Sequence, residues 1–141
     1  MAKGCESYQK PIFITDQMPM LELMEHNIQL NTLRGAVQAV IYDWGEPKPS
    51  HLPIQTDIVL AADCVYFEPA FPLLQAALKE LLSENTVCFF CFKKRRRADL
   101  QFIKTAKKMF NVTEIQDNPD KEIYSRENIF LYVHPILDCV I

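Results

Sequence analysis

The sequence contains little glycine, and its glycines are too scattered to form a glycine-rich loop. Its 141 residues include only Gly4, Gly35 and Gly45. Cofactor-binding loops use glycine because a residue without a side chain lets the backbone approach the ligand closely. A Walker loop, a G-x-S-x-G elbow and an H-E-x-x-H motif are also missing. The familiar signatures of phosphate binding, serine hydrolysis and zinc-dependent hydrolysis are therefore absent.

Long apolar runs and an excess of positive charge are missing as well. No run approaches the length of a transmembrane helix, and residues 1–10 lack the apolar core of a signal peptide. The formal net charge of −3 does not favour a general nucleic-acid binder or a membrane-surface protein. Five cysteines, an odd number, predict reduced thiols in a cytosolic or nuclear protein. We therefore expect a cytoplasmic monomer without a membrane segment.

Cys88 and Cys91 form a C-x-x-C pair, but this pair does not predict a metal site. Both cysteines lie in one apolar, strand-like run, where positions three apart face opposite sides of the strand. A structural zinc site would also need a second pair of ligands, and the sequence offers none. We therefore expect no bound metal.

Apolar runs that suit strands alternate with helical periodicity along the chain. The predicted strands span residues 12–16, 37–41, 57–62, 87–92, 112–115 and 129–133. Helices are expected to begin near Pro19, near Pro69 and Pro72, and close to Asp99, because proline and an acidic first turn favour helix starts. The first of these helices should end at Asn31. The third should have an apolar face formed by Phe102, Ile103, Ala106, Met109 and Phe110. The last two strands are separated by a polar loop without helical pattern and should pair antiparallel at a sheet edge. This order predicts one α/β domain with helices on both faces of its sheet.

The strand at 57–62 is the centre of the predicted fold. Its apolar run does not alternate with polar residues, which is typical of a strand covered on both faces. Ligands bind at the carboxyl ends of strands in open α/β sheets, so Asp63 and Tyr66 are expected at a ligand crevice. The small Ala61 and Ala62 leave room there for a flat group. Taken alone, the stretch is explained more simply by a core strand and an ordinary acidic turn.

Three further features allow a functional or a structural interpretation. Asp16 closes the first strand and would either grip ribose hydroxyls or cap the following helix. Trp44, the single tryptophan, would either stack on a base or a cation or anchor its loop. The basic run Lys93–Arg97 would contact an acidic partner, phosphates or a nuclear import receptor, although a solvated helix entry is its commoner meaning.

Together, these segments resemble the methyltransferase-like 21 group of S-adenosylmethionine-dependent protein-lysine methyltransferases. Within that group they are most similar to the fungal enzyme that methylates a lysine of translation elongation factor 1-alpha. The W-G and A-D-x-x-Y elements are quite specific, and the basic run is the best marker of the subfamily. The matching segments are residues 14–16, 27–31, 44–47, 59–66, 67–74 and 93–99.

The resemblance implies a Rossmann-like, seven-β-strand class I methyltransferase fold and S-adenosylmethionine as cofactor. It implies that Asp16 holds the cofactor ribose, that Trp44 lines the adenine and that Ala62 contacts the cofactor through its backbone. By the same resemblance, Asp63 and Tyr66 would form the family's D-x-x-Y motif and face the target lysine. The implied partner is a protein substrate, elongation factor 1-alpha.

The chain departs from this family pattern at its beginning. The family carries a first strand, a glycine-rich E-x-G-x-G-type loop and a helix before the position of Asp16. That strand is central, between those expected at 12–16 and 57–62. We therefore expect residues 1–141 to be the C-terminal part of a single methyltransferase domain. The alternatives are an inactive, methyltransferase-like binding module and, more weakly, a nucleic-acid methyltransferase. The acidic net charge and the lack of an N-P-P-Y-type motif oppose the latter.

Overall fold

The computed structural model describes residues 10–134. The chain divides into two compact units, Met1–Leu52 and Pro53–Ile141. Each unit has its own sheet. The expectation that the whole chain is part of a single domain stays a prediction.

The first unit is a β-α-β arrangement. Strand β1 (Ile12–Asp16) runs parallel to β2 (Val37–Ile41), and helix α1 (Leu21–Leu30) connects them. A short 3-10 turn containing Pro19 leads into α1, as predicted. The helix buries Met24 and Ile28. It ends at Asn31, whose side-chain amide donates to the Asn27 carbonyl at 2.8 Å, so the predicted stop is confirmed.

The second unit contains a four-stranded mixed sheet in the order β3-β4-β6-β5. Strands β3 and β4 are parallel, whereas β6 is antiparallel to both β4 and β5. The predicted antiparallel pair at the sheet edge is thereby confirmed. The strands are β3 (Ile58–Ala62), β4 (Val87–Lys93), β5 (Thr113–Glu114) and β6 (Ile129–His134), and the helices are α2 (Phe71–Leu81), α3 (Arg97–Met109) and α4 (Lys121–Glu127).

Helices α2 and α3 cover one face of this sheet with aromatic side chains. The ring of Phe102 on α3 lies 5.2 Å from Phe71 on α2 and 5.7 Å from Phe90 on β4. Phe92 is fully buried and stacks on Phe130 and Tyr132 of β6 at centroid distances of 5.7 and 6.3 Å. Aromatic pairs of this kind add specific packing energy to the area they bury. These ring contacts pack β4 against α3 and against its neighbour β6.

The opposite face of the same sheet is apolar and open. Leu60 on β3 is 76% exposed, and its neighbours Ile58 and Phe89 are exposed as well. The prediction that β3 is covered on both faces is therefore wrong for the described residues. A run without alternation shows what a strand is suited to bury, but α2 and α3 both pack on the side of Ala61 and Phe90.

Two smaller predictions also need correction. The loop between the last strands contains helix α4, which sequence periodicity misses because the helix buries none of its residues. Met109, expected on the apolar face of α3, is exposed, whereas Phe102, Ile103 and Ala106 are buried as predicted. Among the helices of residues 10–134, none has the length and apolar character needed to cross a membrane.

Candidate active site

The loop after β3 has a fixed and unusual backbone conformation. Asp63 adopts φ 54°, in the left-handed region that few residues other than glycine occupy. Its backbone N–H donates to the Cys91 carbonyl at 2.7 Å, so the ladder with β4 continues to the turning residue. Two residues later, Val65 is completely buried and anchors the loop. Asp63 and Tyr66 are consequently exposed on either side of that anchor.

The carboxylate of Asp63 forms a bidentate ion pair with Arg95. The two guanidinium nitrogens of Arg95 donate to the two carboxylate oxygens at 2.8 and 2.7 Å. The backbone N–H of Lys93 donates to the same carboxylate at 3.4 Å. The hydrogen bond from Arg95, against partial burial, lowers the pKa of Asp63 from its usual value. Asp63 is therefore an anion and a hydrogen-bond acceptor at neutral pH.

A buried carboxylate holds the basic run in place behind this ion pair. Asp99, in the first turn of α3, is 0% exposed. It accepts the backbone N–H groups of Arg95 and Arg96 at 2.8 Å each. The guanidinium of Arg96 lies 3.4 Å from Asp99 and also donates to the carbonyl oxygen of Tyr66. Arg95 and Arg96 therefore hold both ends of the D-x-x-Y loop.

The contacts of Arg95 and Arg96 with the D-x-x-Y loop are not predicted from the sequence. The basic run was expected to be a solvated helix entry or a partner-binding segment, but two of its side chains contact the loop instead. The strand order would have predicted the contact between Arg95 and Asp63. Because β3 and β4 are parallel neighbours, the residues that follow their carboxyl ends meet at one edge of the sheet. Asp63 follows β3, and Arg95 follows β4.

Asp16 and Trp44 lie in the first unit. The carboxylate of Asp16 is exposed and accepts the backbone N–H of Gln17 at 2.7 Å. Gln17 occupies the N-cap position of the next turn, and no side chain caps that turn, so the capping role considered for Asp16 is wrong. Trp44 is half-buried in a loop where Gly45 adopts φ 93°. Their proposed contacts with ribose and adenine remain predictions.

Ala62 ends β3 in the second unit, and Asp63 and Tyr66 lie on the loop that follows it. The Ala62 carbonyl accepts a weak hydrogen bond from the Cys64 thiol at 3.6 Å. Cys91 lies opposite Ala62 on β4. Partial burial and the nearby charge of Asp63 raise the pKa of the Cys91 thiol. Within residues 10–134, no cluster of three histidine, cysteine or acidic side chains is arranged to hold a metal ion.

The chain matches known protein-lysine methyltransferases in sequence. A family model described as lysine methyltransferase matches residues 2–109. Protein-lysine N-methyltransferase EFM6 of Saccharomyces cerevisiae is 37% identical over 131 residues, which are 86% of this chain and 53% of that protein. Protein N-lysine methyltransferase METTL21A of Danio rerio is 32% identical over 116 residues, with 80% and 53% covered. The chain thus spans about half the length of the curated relatives it matches.

Solved structures support the fold. A crystal structure of Aeropyrum pernix fibrillarin with natively bound S-adenosyl-L-methionine has a TM-score of 0.60 at 17% identity, over 87% of this chain and 55% of that chain. A putative rRNA-methylase from Clostridium thermocellum has a TM-score of 0.54 at 12% identity, over 87% and 70%. The predicted Rossmann-like, class I methyltransferase fold is therefore confirmed.

Proposed function

The chain belongs to the lysine methyltransferase family, and from this premise we propose that the whole protein is a protein-lysine N-methyltransferase that uses S-adenosylmethionine. The observation that carries the proposal is the rigid D-x-x-Y loop after β3. An exposed carboxylate is held there in a left-handed turn by a bidentate arginine. Backbone strain that surrounding contacts maintain is common at functional sites.

Two residues of the first unit suit the adenosine half of the proposed cofactor. One oxygen of the exposed Asp16 carboxylate accepts the backbone N–H of Gln17, and the other has no partner among the described residues, so it is available to a ribose hydroxyl. Trp44 offers a half-buried aromatic surface for adenine. For Ala62, in the second unit, we propose separately a backbone contact with the cofactor, on the resemblance alone. The sequence has no glycine-rich loop for the methionine half. When bound, S-adenosylmethionine supplies an electrophilic methyl group.

In the proposed reaction, a neutral lysine nitrogen would accept that methyl group through its lone pair, and the electron pair of the donor's bond to the methyl group would leave with the donor. The lysine must first lose a proton to solvent, because its unperturbed pKa is about 10.4. Asp63 is a poor base for that proton, since Arg95 holds its pKa low. We therefore assign to Asp63 the orientation of the amine by hydrogen bonding and to Tyr66 the shaping of the lysine channel.

We further propose translation elongation factor 1-alpha as the protein substrate. The support is the resemblance of residues 67–74 and 93–99 to the fungal enzyme that methylates this factor. A cytoplasmic location and a monomeric state accompany this proposal. The test is incubation of the whole protein and of the 141-residue chain with radiolabelled S-adenosylmethionine and purified elongation factor 1-alpha. Lysine-to-arginine variants of the factor identify the acceptor. Failure of every preparation to label any protein would contradict the proposal.

A non-catalytic binding module is the second candidate, and the missing glycine-rich loop favours it. Calorimetry with S-adenosylmethionine separates the two candidates. Micromolar binding supports the enzyme. Absent binding, combined with retained capture of the protein substrate, supports the module.

A further inference from the structure

Arg95 makes a directional contact with the proposed catalytic loop. A guanidinium that donates two parallel hydrogen bonds to one carboxylate fixes both the distance and the plane of that carboxylate. Here both N···O distances are below 3 Å. The backbone of Arg95 is in turn fixed, because its N–H donates to the buried Asp99. The backbone of Arg95 is thus fixed by Asp99, while its side chain fixes the carboxylate of Asp63.

The charged side chains around Asp63 form separate ion pairs. Arg95 pairs with Asp63, and Arg96 pairs with Asp99 at 3.4 Å. The Lys93 ammonium pairs with Glu127 of α4 at 3.0 Å, so it does not neutralise Asp63 directly. The Cys91 thiol also lies near this group, with its pKa raised and the thiol therefore neutral. An amine that approaches Asp63 meets an ion pair and not a single negative charge.

The net charge of this pair matters for an amine nucleophile. Only the neutral amine has the lone pair that attacks a methyl group. A nearby negative charge favours the ammonium form of a lysine, and a nearby positive charge opposes it. An unpaired Asp63 would attract the substrate but would hold it protonated. A paired Asp63 keeps free lone pairs to accept an amine N–H without that effect.

We propose that Arg95 is a positioning residue for methyl transfer, which fixes the direction of the Asp63 carboxylate and cancels its charge so that the incoming lysine is oriented as a neutral amine. The inference rests on the proposed function and deepens it. Stability alone does not explain the pair. Asp63 and Arg95 remain 54% and 42% exposed, and exposed ion pairs contribute little to folding because water screens them.

The test compares Arg95→Gln, Arg95→Lys and Arg97→Gln in the whole protein. Arg97 is the matched control, because it is an exposed member of the same basic run with no side-chain partner among the described residues. The pH dependence of kcat is measured with a lysine-containing protein substrate. For Arg95→Gln, the rising limb of the pH profile of kcat should move to higher pH by about one unit, because the unpaired Asp63 charge favours the ammonium form of the substrate lysine. The rate should fall at least roughly tenfold at pH 7.5, whereas near pH 10 it should rise to a plateau below that of the wild type, because glutamine restores neither of the two parallel hydrogen bonds.

In Arg95→Lys, the rising limb of the pH profile of kcat should stay near its wild-type position, because the positive charge remains. The plateau value of kcat should fall, because lysine cannot donate the two parallel hydrogen bonds of the guanidinium. Arg97→Gln should match the wild type. A loss of rate in Arg95→Gln that is equal at all pH values would overturn the inference, since it would indicate structural damage alone.

A second measurement does not depend on activity. Carbon NMR of the Asp63 carboxyl in the 141-residue chain should show a higher titration midpoint in Arg95→Gln and an unchanged one in Arg97→Gln. An unchanged midpoint in Arg95→Gln would show that the pair does not form in solution and would also overturn the inference. By contrast, a wild-type protein that transfers no methyl group, with the expected carboxyl titration, would contradict the proposed function itself.

Discussion

The buried carboxylate of Asp99 accepts the backbone N–H of Arg96 at 2.8 Å, so the first turn of α3 fixes the chain that enters it. The same carboxylate accepts Arg95, and the side chains of these two arginines hold Asp63 and Tyr66. Through these two arginines, Asp99 therefore helps to fix the position of the D-x-x-Y loop.

Replacement of Asp99 by alanine should destabilise the second unit. Two backbone N–H groups would lose their acceptor, and a buried unsatisfied donor costs about 1–3 kcal/mol. We expect a loss of about 2 kcal/mol in the free energy of unfolding, measured by urea denaturation. Asp117→Ala is the control, because Asp117 is exposed and has no hydrogen-bond partner among the described residues. Equal stability of the two variants would show that Asp99 does not hold the run.

Replacement of Asp63 should abolish transfer while leaving cofactor affinity nearly intact, because the residue is assigned to the substrate amine. Asp63→Asn is the sharper variant, since asparagine tolerates the left-handed backbone and removes only the charge. Asp63→Ala also removes the side-chain acceptor. We expect kcat to fall by at least about a hundredfold in both. Calorimetry with S-adenosylmethionine provides the check, and an equal loss of cofactor binding would show that Asp63 is wrongly assigned.

Replacement of Trp44 by alanine should have the opposite profile and weaken cofactor binding first. Stacking on an aromatic ring is worth about 0.5–1.5 kcal/mol. The dissociation constant for S-adenosylmethionine should therefore rise roughly two- to thirteenfold. Trp44→Phe keeps an aromatic surface and serves as the control. If the constant is unchanged in Trp44→Ala, then Trp44 is a loop anchor, which is the structural interpretation of its half-buried position.

The ion pair between Asp63 and Arg95 should make a small, pH-dependent contribution to stability. The pKa of Asp63 is lower in the folded chain than its ordinary value of 3.8. The contribution is therefore fully present above that ordinary value and disappears as the pH falls through the lower, folded pKa. Urea midpoints of the wild type and Arg95→Gln should differ slightly at pH 6 and converge as the pH falls through the lowered pKa of Asp63. A difference that grows towards low pH would contradict this assignment.

Most of the second sheet can be predicted from the sequence, because its runs are apolar, its helices are periodic and its proline and acidic starts are local signals. Helix α4 could not be predicted, since it buries no side chain and thus leaves no periodic pattern. The contact between Asp63 and Arg95 spans 32 positions and depends on the pairing of β3 with β4. A run of basic residues does not by itself reveal a contact with Asp63, because such runs are more often solvent-exposed entries to a helix.

The last prediction concerns the 141-residue chain by itself, in which the open face of the second sheet should dominate behaviour. Leu60 is 76% exposed beside the exposed Ile58 and Phe89, and contiguous exposed apolar surface of this kind favours association. Within its own unit, β3 also pairs with a strand on one side only, which leaves an edge that other chains can join. We therefore expect the chain to aggregate on heating and to unfold with low cooperativity.

Leu60→Lys tests this expectation directly. A charge on an exposed strand position should reduce light scattering on heating without lowering the unfolding midpoint, because little buried area is lost. Leu74→Lys, at a buried position of α2, is the contrasting variant and should destabilise the unit.

We expect S-adenosylmethionine to leave the thermal transition of the unmodified chain unchanged, since no glycine-rich loop is present to hold its methionine half. A cooperative transition that rises by several degrees with the cofactor would contradict this prediction, because binding to the folded state raises stability.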